Sequence, residues 1–428
     1  MRRPPAPSPS PTAIAQTLLK RLQNHQRTTF LVASGLSTAG SFAGLTAKGW
    51  ILIQGSSNPL MLALHFGLLA LPSLLLSGPA GVLTDRIGCQ PVLIRAQWAL
   101  FGAAVLGALA IPLLEGQGQV ALLLLSTLLM GMASSYELTA RNKYSALLVD
   151  KPEQLAPFLA SFSVVFNVGK LVGPPLGGWL LALAGPSLAL AIDALTYLLP
   201  IASVIWVLRP HLDQEQRSAP GRTASLGAAW RSCGSTLRHV LRFTGLACLV
   251  GFFHPGLAPL IASRVVGPSP QALGLFTSVL AAGSIVGGVV LQRNSQRLIA
   301  RPGILLGGCT VLTAAAQLGM AWSGVHGAEG WREPLSLAMA FWIGAGTAGL
   351  LAGTNLIGQM GAPMALRGRM AGLSQIAFLG GGGLSGFLAA TLVAAQGLNA
   401  TFTVLGLAGL AVGIVELTSR WKLELRSA

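Results

Sequence analysis

The sequence predicts an all-α membrane protein of about twelve transmembrane helices, arranged as two bundles of six. The composition supports this fold class, because 52% of the residues are hydrophobic and only 9% are charged. The mean hydropathy is +0.66, whereas a soluble globular domain has about a quarter of its residues charged. A chain of 428 residues has room for about twelve apolar runs with short connections.

The apolar runs fall into two groups on either side of a polar stretch at 208–240. Spans one to six are 28–53, 60–84, 92–113, 119–139, 156–183 and 187–207. Spans seven to twelve are 241–265, 271–292, 303–323, 335–358, 369–394 and 398–419. The predicted organisation is a disordered basic tail (1–27), a six-helix bundle (28–207), a cytoplasmic central loop (208–240), a second six-helix bundle (241–419) and a tail (420–428).

The basic residues predict the orientation of the spans. Of the 28 Lys and Arg, only Arg264 and Arg332 fall in connections away from the N-terminal side, and Lys48 and Lys170 fall inside spans. Because Lys and Arg collect on the cytoplasmic side, we expect both termini in the cytoplasm and the protein in a bacterial inner membrane. The formal charge of +16 is then a topology signal, and we expect no nucleic-acid partner.

The first 27 residues contain five basic residues and no acidic residue. They are not followed by an uninterrupted apolar segment with a small-residue cleavage site, which argues against a signal peptide. An acid-free stretch containing Ser is also compatible with an organelle transit peptide. Its high density of Pro favours a disordered cytoplasmic tail.

The sequence lacks the motifs of the main catalytic and nucleotide-binding classes. It has no Gly-rich phosphate loop, no His-Glu-x-x-His and no Gly-x-Ser-x-Gly. The four cysteines do not show the spacing of a disulfide framework or a metal site: Cys89, Cys233, Cys248 and Cys309. We therefore expect no enzyme activity, no cofactor and no bound metal, and any transport must draw on a gradient.

A short motif closes span two: Gly81-Val-Leu-Thr-Asp85-Arg86-Ile-Gly88. It resembles the signature between helices two and three of the major facilitator superfamily, although the usual basic pair after Gly88 is missing. Gly81 and Gly88 suit a tight turn and close helix contact. The resemblance implies a cytoplasmic latch in which Asp85 meets the positive end of span eleven, near Arg369, and Arg86 pairs with a carboxylate. A solvated loop that only sets topology is the alternative.

The second half repeats this pattern at the corresponding place. Gly288-Val-Val-Leu-Gln-Arg293 closes span eight, about half a chain length after the first motif. A repeat at corresponding spans supports the internal duplication that is typical of transporters. We therefore expect the two six-helix bundles to be pseudo-symmetric, as in the major facilitator fold.

Span five carries the segment Gly169-Lys-Leu-Val-Gly173-Pro174-Pro-Leu-Gly177-Gly178. It resembles the helix-five motif of major facilitator exporters. Glycines spaced by four allow helix backbones to approach, and prolines bend a span. The resemblance implies a hinge surface on which the two halves rock. Simple small-residue packing is the alternative.

A longer region is similar to the branch of the superfamily that contains the enterobactin exporter and related efflux permeases. The similarity is strongest from about 60 to 210. Besides the glycine motif it rests on Thr139-Ala-Arg141, Glu153-Gln-Leu155, Phe166-Asn167 and Asp193-Ala-Leu195. In the second half it rests on Arg367-Gly-Arg369-Met and the glycine run at 380–383.

Charged groups inside the spans need a reason, since each costs about 2.5–3.5 kcal/mol on insertion scales. Lys170 lies near the middle of span five and Asp193 in the outer half of span six, joined by a short turn. We predict a pair between them, which either fixes helix packing or breaks and reforms as Asp193 takes a proton. Lys48 of span one either faces the cavity or extends towards the headgroups beside Trp50.

Other polar residues in the spans have local or cavity roles. Glu137 and Arg141 are one turn apart, which predicts a local ion pair. His65 is either a hydrogen-bonded core residue or a titrating group. Span one lacks the acidic residue that many drug–proton antiporters of the superfamily carry, which argues against exchange of cationic drugs. The candidates for the cavity wall are Lys48, Asn167, His254, Asn355 and Gln359.

The resemblance implies a secondary active transporter that works by alternating access. We expect a monomeric, proton-driven exporter of a small amphipathic molecule such as a siderophore or a drug. One alternative is uptake, or transport of lysophospholipid-like lipids, by the same fold. Another is a membrane sensor or interaction protein without transport, which the short central loop disfavours. The exporter-type motif of span five favours export.

Overall fold

The computed structural model describes residues 11–56, 58–149, 152–207, 230–231, 234–299, 301–326, 330–361 and 367–419. The first half contains α1 (Pro11–Ser56), α2 (Pro59–Ile87), α3 (Cys89–Leu113), α4 (Gly116–Leu147), α5 (Pro152–Thr196), α6 (Leu198–Ala202) and a π-helical turn (Ser203–Val207). The second half contains α7 (Ser235–Gly251), α8 (His254–Val265), α9 (Pro270–Ile299), α10 (Pro302–His326), α11 (Arg332–Gly361), α12 (Arg367–Gln396) and α13 (Leu398–Thr418).

Local sequence explains where the helices turn. Asn58 accepts a hydrogen bond from the Leu60 N–H at 3.0 Å, and Pro59 occupies the first turn of α2, where it needs no N–H partner. Gly88 ends α2 with φ at 94°. Gly185 has φ at 77° inside α5, a backbone conformation that side-chain-bearing residues rarely adopt. The chain therefore reverses at Gly185, and spans five and six are joined by a very short turn.

The number of crossings agrees with the predicted fold class. Among the residues that the structure describes, ten helical stretches are long and apolar enough to cross a membrane. One of them, Val164–Trp206, is 43 residues long and contains the turn at Gly185, so it crosses twice. The 30-residue α12 packs against α2 and α7 and supplies the position of span eleven. The all-α architecture of about twelve spans is confirmed.

Two predicted boundaries differ from the structure. The stretch 1–27 was expected to be a disordered tail, but α1 begins at Pro11, so 11–27 continues the helix of span one. The central loop was expected to reach residue 240, but α7 begins at Ser235. In both places the chain becomes polar before the helix ends, and hydropathy marks only the apolar part of a helix. Residues 1–10, 208–229 and 420–428 lie outside the described ranges.

The helices of the two halves pack in corresponding pairs. α1 packs on α5 in the first half, as α7 packs on α12 in the second. α2 packs on α4, as α9 packs on α11, and α3 on α4, as α10 on α11. A methyl group on Gly177 would overlap the Ala43 carbonyl, and one on Gly381 would overlap the Gly245 carbonyl. Corresponding helix pairs thus use glycine for the same close backbone approach.

The two ends of the bundle are packed differently. We call the side that holds the Gly88 turn and the end of α13 the termini side, and the opposite side the far side. The largest buried cluster lies at the far side and takes residues from both halves, including Trp50, Leu62, Phe253 and Phe402. The other clusters of described residues each belong to one half. The halves therefore share a core at the far side and have separate cores towards the termini side.

Candidate transport site

The motif that closes α2 forms an ion pair within its own half. Asp85 accepts a hydrogen bond from Lys143 Nζ of α4 at 2.5 Å, and both side chains are partly exposed. Arg86 is exposed beside it. The sequence predicts that Asp85 contacts the start of α12, near Arg369. The side chains at 361–370 are outside the described part of the structure, so this contact stays a prediction. Lys143, which the motif did not identify, is the observed partner of Asp85.

The two outer glycines of this motif differ in their surroundings. Gly88 makes the turn that was expected, with its N–H donating to the Thr84 carbonyl at 3.1 Å. Gly81 was expected to allow close helix contact, but a methyl group placed on it would meet no atom within 4 Å. In the described structure Gly81 therefore makes no close packing contact, and its place in the motif needs another reason.

The glycine motif of α5 faces two different neighbours. Gly169, Gly173 and Gly177 lie against the backbone of α1, so that a methyl group on any of them would press on it. Gly178 instead lies against Gly274 of α9, in the other half. Pro174 is half-buried between these contacts. Three of these glycines therefore serve the packing of α5 on α1, as the alternative interpretation of the motif predicted. Of the four, only Gly178 contacts the other half.

Further close contacts between the halves lie on the same far side as Gly178. A methyl group placed on Gly49 of α1 would lie 3.2 Å from Pro259 of α8. A methyl group placed on Gly67 of α2 would overlap the Phe387 ring of α12. Contacts at the far side and a shared core there hold that end of the two halves together.

The predicted ion pair between Lys170 and Asp193 is not formed. The Lys170 ammonium lies 4.4 Å from the centroid of the Phe166 ring and 6.0 Å from that of Phe42. Asp193 lies against Gly44 of α1, where a methyl group would overlap its carboxylate. The turn at Gly185 does bring the two helices together, but hydropathy does not fix their rotation. The two side chains therefore have different neighbours.

Asp193 is buried without a hydrogen-bond partner. It is 1% exposed, and neither carboxylate oxygen has a partner among the described residues. Its nearest electrostatic counterpart is Lys48, which is too far away for an ion pair. A buried carboxyl group without a donor is costly unless it is neutral or changes its environment during function. This makes Asp193 the leading candidate for a proton-binding group.

Lys48 neither faces a wide cavity nor extends to the headgroups. It is 0% exposed, and its Nζ donates to Ser126 Oγ at 2.7 Å and to the Met130 sulfur at 3.0 Å. Ser126 passes the bond on to the Ala103 carbonyl at 2.6 Å. The ammonium is thus held between α1, α3 and α4. Both predicted alternatives for Lys48 are wrong because the groove between these helices accepts the whole side chain.

The predicted local pair between Glu137 and Arg141 is confirmed, with an N–O distance of 3.0 Å. It is buried, and Gln97 of α3 donates a further hydrogen bond to Glu137 at 3.0 Å. The Arg141 guanidinium also lies 4.4 Å from the centroid of Phe166. Arg141 and Lys170 therefore share one aromatic ring. Phe166 and Lys170 are four residues apart on α5, a spacing that could have indicated their contact. The contact of Arg141 with Phe166 joins two helices, and the sequence does not fix such a spacing.

The histidines of the spans are core residues. His65 contacts the Leu45 carbonyl at 3.1 Å and the Thr127 hydroxyl at 2.9 Å, so both ring nitrogens have partners. His254 was a candidate for the cavity wall. It is buried at the break between α7 and α8 and stands edge-on to Phe252, with ring centroids 5.3 Å apart.

The remaining cavity candidates are placed differently from one another. Asn167 is exposed on α5, and Asn355 is half-buried on α11. The side chain of Gln359 lies outside the description. A cavity of about 10 Å³ within the second half is lined by Thr310, Thr313 and Gln317, among others, and has room for about one water molecule. It is too small for a substrate, so the interior charges of the first half remain the strongest candidates.

The sequence as a whole matches one family. The sequence profile of the family described as "Transmembrane secretion effector" matches residues 18–426, nearly the whole chain. The chain belongs to this family. It is a transporter of the major facilitator type, which confirms the superfamily to which the two motifs pointed.

Characterised relatives of the transporter are distant but cover most of its length. It is 26% identical over 399 residues to the multidrug efflux pump Tap of Mycolicibacterium fortuitum, across 90% of this chain and 94% of that one. Tap of Mycobacterium tuberculosis (strain ATCC 25618 / H37Rv) is 25% identical over 405 residues, across 90% and 91%. The transporter is therefore distantly related to multidrug efflux pumps.

Solved structures confirm the fold. The nucleoside transporter NupG superposes with a TM-score of 0.70 at 12% identity, over 92% of this chain and 99% of that one. A bacterial homologue of the iron transporter ferroportin superposes with a TM-score of 0.67 at 19% identity, over 92% and 99%. The predicted pair of six-helix bundles is thus the architecture of the transporter.

Proposed function

We propose that the transporter exports a small amphipathic molecule from the cytoplasm of a bacterium, driven by the proton gradient across its inner membrane. Both termini lie in the cytoplasm, and the two halves alternate between arrangements open to one side and to the other. The small molecule follows from the family, and its export and proton coupling are the proposal.

The observation that carries this proposal is the unequal packing of the two ends of the bundle. Trp50 and Phe253, from different halves, are buried in one far-side cluster, whereas Tyr144 and Val240 lie in clusters confined to single halves. With the termini in the cytoplasm, this arrangement is closed to the outside. It is the state that an exporter needs to receive its substrate.

Two further observations favour export over uptake. The relatives that align over 90% of the chain are named multidrug efflux pumps. The α5 glycines that resemble the exporter motif lie at the α1 interface and, through Gly178, at the interface between halves. A rocking motion of the halves would move Gly178 against Gly274, where neither residue has a side chain to obstruct it.

Asp193 and Lys48 are the proposed coupling groups. Both are fully buried in the first half, and only Lys48 has hydrogen-bond partners among the described residues. Protonation of Asp193 removes a negative charge from a site in which low polarity makes charge interactions strong. It would weaken the attraction to Lys48 across the α1–α5 contact. A change of this kind can favour one arrangement of the halves over the other.

Transport into everted membrane vesicles tests the proposal. Vesicles that contain the transporter would be energised and offered a panel of siderophores and amphipathic drugs, with and without a protonophore. We expect accumulation of at least one compound that the protonophore abolishes, and none in vesicles without the transporter. Accumulation that the protonophore leaves unchanged would contradict proton coupling. Uptake by right-side-out vesicles alone would contradict export.

A further inference from the structure

Two cations in the first half share one aromatic ring. Arg141 of α4 and Lys170 of α5 each lie 4.4 Å from the centroid of Phe166. Phe162 lies 5.6 Å from the Arg141 guanidinium, and Phe42 lies 6.0 Å from the Lys170 ammonium. Cation–π attraction holds each charge at the ring, while the two like charges repel one another.

The single carboxylate beside this cluster does not neutralise both of its positive charges. Glu137 pairs with Arg141 at 3.0 Å and accepts a hydrogen bond from Gln97. Lys170 has no ion pair within the described part of the chain, and Asp193, its predicted partner, lies elsewhere. The cluster therefore keeps one uncompensated positive charge at membrane depth, where an unpaired charge indicates function.

The cluster also has an unused hydrogen-bond donor. Arg141 is 6% exposed, and its Nε has no acceptor among the described residues. Buried donors are almost always satisfied, and an unsatisfied one needs an explanation. Lys170 and Phe166 are half-buried and Asn167 is exposed, so a ligand can reach the cluster from the surface of α5.

We propose that Arg141, Lys170 and Phe166 form a subsite for an organic anion, with a carboxylate at the two cations and an apolar ring against Phe166 and Phe42. The anion would supply the missing countercharge of Lys170 and the missing acceptor of Arg141 Nε. The phenylalanines select a ligand with an apolar body. The subsite would make the exported molecule an organic anion. Binding of the anion does not depend on the proposed function, and only its role as the transported substrate rests on it.

The test uses three probes that share a ring and differ in charge: 1-naphthoate, 1-naphthalenemethanol and 1-naphthylmethylammonium. Binding to the full chain in phosphatidylcholine nanodiscs would be measured by titration calorimetry. We expect 1-naphthoate to bind at least about tenfold more tightly than the alcohol, and the ammonium probe more weakly than both. Equal affinity for the three probes would overturn the proposal without any variant.

Variants place the effect at the subsite. Lys170→Gln should weaken 1-naphthoate at least about tenfold and leave the alcohol unchanged, whereas Lys170→Arg should retain tight binding. Arg95→Gln, at an exposed position on α3, is the matched control. Wild-type affinity for 1-naphthoate in a folded Lys170→Gln variant would contradict the subsite. Because binding is measured without a gradient, a failure of proton-driven export leaves this result standing.

Discussion

The two halves of the transporter share their packing and differ in their charge. α1 and α5 approach through glycine, and so do α7 and α12. The interior of the first half holds five charged residues: Lys48, Glu137, Arg141, Lys170 and Asp193. In the second half the buried charged residue among those described is Glu416, near the end of α13, which contacts the His239 ring at 3.0 Å. Deeper in that half, hydroxyl groups bond one another, as Thr244 and Thr354 do at 2.8 Å.

The two halves therefore share a fold without sharing its chemistry. In the proposed alternating-access cycle each half moves as a rigid body, and this movement requires close helix packing in both halves. Buried charge is costly, so it is expected only where function uses it. On this account the first half binds the proton and the substrate anion, and the second half is the body against which it rocks.

The largest expected effect follows from removing the proton-binding group. Asp193→Asn should reduce proton-driven accumulation at least about tenfold and abolish its dependence on pH, because an amide takes up no proton. The measurement is initial transport rate against pH in vesicles with equal amounts of inserted protein. Glu333→Gln, at an exposed end of α11, is the control. An Asp193→Asn variant with the wild-type pH profile would assign coupling to another group.

Glycine substitutions test whether the packing is symmetric. Gly173→Ala and Gly381→Ala should each destabilise the protein by about 1–3 kcal/mol, because the added methyl group meets backbone atoms of the neighbouring helix. Gly102→Ala and Gly308→Ala meet open space and should be neutral or slightly stabilising. Unfolding in detergent measures all four. A tolerated Gly381→Ala beside a damaging Gly173→Ala would show that only the first half is tightly packed.

Hydroxyl substitutions test whether the halves differ in charge. Ser126→Ala removes an acceptor of the buried Lys48 ammonium and should cost about 1.5–3 kcal/mol. Thr244→Val removes a bond between neutral hydroxyls and should cost about 0.5–1.5 kcal/mol. The free energies of unfolding of the two variants give the comparison. Equal costs would mean that Lys48 is stabilised mainly by something other than Ser126.

The smallest effect is expected at the partly exposed pair of Asp85 and Lys143. Lys143→Gln should cost about 0–1 kcal/mol, since water and salt weaken such pairs. The cost should shrink as the salt concentration rises. Thermal unfolding at low and high salt measures it. A large and salt-independent loss would show that this pair is part of the structural core.

Hydropathy predicted the spans well, because a span must be apolar along its length. Local spacing was equally informative at Glu137 and Arg141, since one helical turn fixes their distance. The pairing of Lys170 with Asp193 failed because it required the rotation of two helices about their axes. That rotation is set by where Gly44 and Gly173 allow α1 and α5 to touch, and a single sequence does not show those contacts.

Proton movement coupled to substrate movement is the most direct test of proton-driven export. The transporter would be placed in proteoliposomes containing a pH-sensitive dye, and the compound identified in everted vesicles would be added on one side. For proton-driven export through Asp193, we expect a proton flux opposite to the substrate flux in the wild-type protein and no such flux with Asp193→Asn. Substrate movement without proton movement in the wild-type protein would contradict it.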